Sequence, residues 1–164
     1  MMRLPALLLL PVLIAMVNPG CAVQYTNIPP IEGDRFARHD PNRRNVREAA
    51  ALALDAVAAH RGFTGPVRVS LPEGSSESTY AAVFGAMNAD AREASTLDAA
   101  QVPTLEVRRI HLRSTRGELD IVQRRPDDAA QLVTVYLDHS TLGGWSVARV
   151  RLWRIGSDWP GQSE

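Results

Sequence analysis

The chain has 164 residues with 18 basic and 18 acidic side chains, so its formal net charge is zero. That is length for one ordinary domain, without the concentrated basic surface that nucleic-acid binding demands. Every basic residue is arginine, which excludes lysine Schiff-base chemistry, a lysine general base and a P-loop lysine.

At the N-terminus, Met1 to Arg3 supply a free amine and one cation, and Leu4 to Val17 form an apolar run of 14 residues interrupted by Pro5 and Pro11. A membrane-spanning helix needs roughly 20 apolar residues. A charged start, a short apolar centre and small residues after it predict a secretory signal peptide over residues 1–20. The chain's one cysteine, Cys21, follows Gly20 directly.

Three fates of Cys21 fit these residues: acylation after cleavage before it, plain secretion with cleavage after Ala22, or a retained segment with a free thiol. A leucine-rich run closing on Gly20-Cys21 resembles the lipobox of bacterial lipoproteins, with Asn18 and Pro19 standing where that family prefers an aliphatic and a small residue. The resemblance implies lipid attachment at Cys21. It also implies export, and anchoring in the cell envelope on the periplasmic face of the inner or the outer membrane. The implied partners are the lipid bilayer and another envelope protein. In every case a lone cysteine makes no intramolecular disulfide.

Residues 21–41, the N-terminus that would carry the lipid, contain Pro29-Pro30 and Gly33 and little periodicity, and read as a flexible tether. A single domain is expected over 42–156 and a tail over 157–164, with Trp159 tucking back onto it.

Asp40-Pro41, or Asn45 with Glu48 three residues later, would open a helix running to about Arg61. Val46, Ala50, Ala53, Leu54 and Val57 form its apolar stripe, and Gly62 supplies the left-handed stop. Val67, Val69 and Leu71 alternate with Arg68 and Ser70 as a short strand. A second helix follows from Glu77 to about Met87, capped by Ser75 or Ser76. Its stripe of Tyr80, Val83, Phe84 and Met87 reads as core packing rather than a ligand box. The stretch 88–101 fits either a frayed helical extension or a loop.

From Val102 the pattern is that of strands. Leu105 and Val107 fall out of phase with Ile110 and Leu112, which predicts a β-bulge at Arg108-Arg109. Leu119 to Gln123 returns after a tight turn at 115–117, Gln131 to Asp138 is a strand apolar on nearly both sides, and Trp145 to Ile155 is the last, with a second slip near Ala148-Arg149. Helix, strand, helix and then a four-stranded antiparallel meander make an α+β fold, two helices on a curved, mainly antiparallel sheet. In topology this order resembles the cone-shaped NTF2-like fold and cystatin-like sheets.

No motif assigns an activity. His39, His60, His111 and His139 lack metal-ligand spacing, there is no nucleophile elbow, and no Gly-rich dinucleotide loop appears; no catalytic residue, metal or cofactor is assigned. A cluster of His111, Asp138 and His139 is conceivable if their strands adjoin. The serines of Gly74 to Ser78 read as helix caps. Arg149, Arg151 and Trp153 alternate on one strand face, where two guanidiniums beside an indole suit an anion or an acidic partner. The plainer reading pairs them with acids such as Asp120.

A binding or structural role is thus the expectation. The alternative is a small-ligand-binding or enzyme-like domain using the hollow of the sheet. Labelling cells with a fatty-acid analogue should tag the wild-type chain and leave Cys21→Ser untagged; equal label in both would end the lipid-anchor expectation.

Overall fold

Two phase slips in the strand pattern set the architecture. The computed structural model describes residues 25–153 except 97, 99, 100 and 127. The expected signal segment, Cys21 and Trp159 lie outside the described residues. Along the chain run β1 (Thr26–Ile28), α1 (Arg44–His60), β2 (Val67–Ser70), α2 (Glu77–Ala86), β3 (Ala91–Glu93), β4 (Thr104–Leu112), β5 (Arg116–Arg124), β6 (Gln131–Ser140) and β7 (Gly144–Leu152). The fold is α+β: two helices and one mixed, mainly antiparallel sheet, ordered β3-β2-β4-β5-β6-β7, with β1 also on β4.

The expected bulge in β4 is present, the register shifting between Val107 and Arg109. Its extra residue returns Ile110 and Leu112 to the side that already holds Leu105 and Val107, and all four are buried. The second slip is also a register shift. Tyr136 lies opposite Arg149 but Leu137 opposite Val147, which leaves Ala148 as the extra residue of β7. The apolar side of the sheet is completed by Leu119, Ile121, Val133, Val135 and Leu137, each at most 1% exposed. β5 enters this layer at Gly117, where a Cβ would sit 2.9 Å from Leu112 Cδ2 and 3.3 Å from both Leu137 Cβ and Trp145 Cζ3. Only glycine fits under Trp145 without displacing that wall.

Helix α1 covers this side, lying against β4 to β7. Its predicted stripe is buried throughout, widened by Ala49, Ala51 and Ala58. Small residues let its backbone approach the sheet closely. It ends as expected, with Gly62 at φ +65°. Its start differs from either predicted entry. Arg43 is the N-cap, with no side-chain capping bond to the helix, while Glu48 pairs with Arg44 one turn back, 2.7 Å away. Asp40 accepts from the Asn42 amide at 2.9 Å, and Asn42 is spent on the other helix. Its Oδ1 accepts from the Ser76 amide at 2.8 Å and from Thr79 Oγ1 at 2.7 Å.

Helix α2 lies against α1 and the β3 edge, with Ser76 as its predicted cap. Tyr80 and Phe84 meet edge to face at 5.6 Å, Val83 and Met87 are buried, and the Tyr80 hydroxyl accepts from the Leu71 amide at 3.1 Å. Val83 and Met87 of that stripe are core, and Tyr80 and Phe84 pack against it half-buried.

Two segments that carried no strand expectation contribute strands. Within 21–41, Thr26–Ile28 pair antiparallel with Leu112–Ile110 and are buried. Within 88–101, Ala91–Glu93 pair parallel with Val67–Val69. Strand β4 shares one edge between two partners: β2 takes Thr104–Glu106, β1 takes Ile110–Leu112, and the bulge falls between them.

The close approach of α1 generates a test. Ala53 is fully buried, and leucine in its place should lower stability by about 1–3 kcal/mol, read as a drop in urea midpoint at unchanged slope. Unchanged stability would contradict a helix seated this tightly.

Candidate functional site

With α1 on one side, the opposite side of β4–β7 is open, and apart from Val122 and Leu132 near one end its paired residues are mainly polar. The bulge in β4 turns Arg109 and His111 to that side. Register places Arg109 opposite Asp120 and His111 opposite Glu118. On the next strand Thr134 and Tyr136 are opposite Asp120 and Glu118, and Arg151 and Arg149 are opposite Thr134 and Tyr136. Two complete rows therefore cross four strands: His111–Glu118–Tyr136–Arg149 and Arg109–Asp120–Thr134–Arg151.

Arg109 takes both central carboxylates. Its Nε donates to Asp120 at 2.8 Å and its Nη2 donates to Glu118. Burial alone would pull this guanidinium's pKa down, but Asp120 and Glu118 outweigh burial and raise it. The second Asp120 oxygen accepts from Thr134 Oγ1 at 2.6 Å, and that hydroxyl accepts from Trp153 Nε1 at 2.9 Å. One relay thus runs from Arg109 through Asp120 and Thr134 to the indole.

The sequence singled out Arg149, Arg151 and Trp153, and the structure places them on this open side. Arg151 lies over the Trp153 ring at 3.6 Å and Arg149 over the Tyr136 ring at 4.3 Å. The alternative pairing with acids such as Asp120 does not occur: Asp120 belongs to Arg109, and among the described residues neither Arg149 nor Arg151 has a carboxylate within ion-pair distance. Tyr136 and Arg109 were not foreseen as parts of the site. The only signal for Arg109 was its position at the phase slip.

Beside Arg149 opens a solvent-facing cleft of about 570 Å³, lined by His111, Arg113, Glu118, Tyr136, Asp138 and Arg149 among others. Arg113 Nε donates to His111 Nε2 at 3.2 Å, which makes that ring nitrogen the unprotonated one. Burial first, then Arg113 and Arg109, lower the His111 pKa from 6.5.

The conceivable cluster of His111, Asp138 and His139 does not form. His111 and Asp138 share the cleft, but His139 is the next residue along β6 and faces the other way, edge-on to Trp145 at 4.7 Å. Among the described residues no group of three His, Cys, Asp or Glu side chains is placed to hold a metal. His39 Nδ1 meets the Asn27 carbonyl at 2.7 Å, and His60 ends α1. Of the serines, Ser76 is the cap, its Oγ accepting from the Thr79 amide, whereas Ser75 Oγ donates to the Pro72 carbonyl in the preceding turn. No helix among the described residues is long and apolar enough to cross a membrane.

No protein-family model, curated protein or solved structure matches this chain.

The depressed pKa of His111 has a pH consequence. The unfolded chain takes up this proton more readily than the folded one, so the histidine's contribution to stability is complete above pH 6.5 and is lost as pH falls through the lower folded-state value. His111→Asn should flatten the decline of the urea midpoint on acidification below 6.5. Superimposable pH profiles for the two proteins would contradict it.

Proposed function

We propose that the protein is an exported, lipid-anchored bacterial envelope protein whose domain acts by binding, as an accessory module, and that its open sheet face takes an acidic segment of another envelope protein. One observation carries the binding half. Arg149 and Arg151 are stacked on Tyr136 and Trp153, while Glu118 and Asp120 of that face are held by Arg109. Stacking fixes a planar guanidinium and leaves its edge N–H groups free. That edge matches a carboxylate in bidentate geometry. The export and anchoring half is supported by the short apolar run Leu4–Val17 and the lipobox-like Gly20-Cys21.

A second reading, a small acidic ligand in the His111–Arg149 cleft, is favoured by the cleft's size. Its volume of about 570 Å³ falls within the usual range for ligand sites. The lining carries three arginines, Arg113, Arg116 and Arg149, against two acids, Glu118 and Asp138, an excess of cations that suits phosphate or a carboxylate.

Polyglutamate and inorganic phosphate distinguish the two by NMR. At low salt, polyglutamate should shift the Trp153 indole N–H resonance saturably, and Arg151→Ala should weaken that binding about tenfold. Arg92→Ala, on the β3 edge, should leave it unchanged. Phosphate shifting His111 while polyglutamate leaves Trp153 untouched would favour the small-ligand reading. No response to either anion would overturn both.

A further inference from the structure

The end of the sheet at which the chain enters carries exposed apolar side chains together with arginines that have no carboxylate partner among the described residues. Strand β1 runs antiparallel to β4, Thr26 opposite Leu112, so Tyr25 arrives beside Arg113 at the β4–β5 turn. Arg116, just across that turn, is exposed like Arg113. Thr26 also bridges Arg38 in parallel, which returns residues 35–37 to the same end. Asp34 fixes that return, accepting from the Phe36 and Ala37 amides at 3.2 Å, from the Tyr25 hydroxyl at 2.5 Å and from Asn27 Nδ2 at 2.6 Å. Phe36 is left 84% exposed.

The β6–β7 hairpin turns at this end too. Asp138 is opposite Arg116, and the strand continues two residues further, so the turn projects past Arg116. Leu142 sits in that turn, fully exposed. Phe36 and Leu142 thus flank a turn bearing Arg113 and Arg116, with exposed Arg35 and Arg38 nearby. None of these four arginines has a carboxylate ion-pair partner among the described residues. The acids of this region are fewer: Asp34 is fully engaged, leaving Glu32 and Asp138 exposed.

A single exposed apolar residue means nothing. Two at one end, rimmed by arginine, at the point where the chain comes in, have the composition of a surface that seats on anionic lipid. Cys21 is four residues before Tyr25, and four residues span at most about 14 Å. A chain held in a bilayer at Cys21 would keep this end within reach of the headgroups.

We propose that the Phe36–Arg113–Arg116–Leu142 end of the domain rests on an anionic lipid surface, with both apolar side chains entering the headgroup boundary. This rests on the anchored reading above, and leaves the Arg149–Arg151–Trp153 face turned along or away from the membrane for its acidic partner.

The test uses the full chain as processed by and purified from bacterial membranes. It is reconstituted in vesicles of phosphatidylglycerol and phosphatidylethanolamine with brominated acyl chains. Phe36→Trp and Leu142→Trp report this end, and Ala129→Trp, in the exposed β5–β6 turn at the opposite end, is the control; each is read against the parent protein. The first two should show blue-shifted emission quenched by bromine, and the third neither. Arg113→Glu combined with Arg116→Glu should remove most of that quenching while the chain still floats with the vesicles.

Flotation with positions 36 and 142 quenched no more than 129 would overturn this orientation and leave the anchor standing. Failure to float would remove both. Equal quenching in phosphatidylcholine vesicles would overturn the anionic requirement. A blue shift without any vesicle would mean that a second copy of the chain covers this end, and would also overturn the proposal.

Discussion

Arg109 bridges Asp120 and Glu118, and the character of the open sheet face follows from that contact. The arginine reaches the face because β4 spends one extra residue at the bulge. Without it, strict alternation from Leu105 and Val107 would send Arg109 under α1 and bring Ile110 and Leu112 out into water. Burying an unpaired guanidinium while exposing two large aliphatic side chains would cost several kcal/mol. The bulge removes both penalties at once, and it delivers a cation to the end of one row within reach of both carboxylates of β5.

With those carboxylates taken, no acid among the described residues lies within ion-pair distance of the β7 arginines, Arg149 and Arg151. The extra residue of β7, Ala148, sets Arg149 opposite Tyr136 and Arg151 opposite Thr134, where aromatic rings rather than acids receive the guanidiniums. The relay through Thr134 then holds the Trp153 ring under Arg151. The face is therefore ordered by charge-assisted hydrogen bonds on one half and left with unsatisfied cations on the other. That asymmetry suits the proposed binding role, since an incoming carboxylate would meet fixed guanidiniums with no internal ion pair to break.

Much of the fold was legible because its elements obey strong periodicities. The α1 stripe, the α2 stripe of Tyr80 to Met87 and both phase slips follow from spacing alone. What was not legible depends on distant partners. Strands β1 and β3 are three residues each, too short to show alternation, and exist because the edges of β4 and β2 are there to receive them. The start of α1 misled for a related reason. Asp40-Pro41, or Asn45 with Glu48, look like its entry, but Asp40 accepts from Asn42 and Glu48 pairs with Arg44. Asn42 braces the Ser76 cap of α2 across the fold, a contact with a sequence separation that no local pattern reveals.

The site was half legible. Alternation put Arg149, Arg151 and Trp153 on one face, but whether acids or aromatics would meet them depended on the strand register, and so on the bulges. His111, Asp138 and His139 failed as a group because adjacent residues of β6 point to opposite sides.

The most direct measurement of this account is a pair of double-mutant cycles on folding stability. Asp120→Asn is combined in one with Arg109→Ala and in the other with Arg151→Ala. The account predicts a coupling of about 1 kcal/mol between Arg109 and Asp120, whose ion pair is only partly exposed, and a coupling near zero between Arg151 and Asp120. A larger coupling to Arg151 than to Arg109 would contradict it, because the arginines of β7 would then be paired within the molecule and not free to bind.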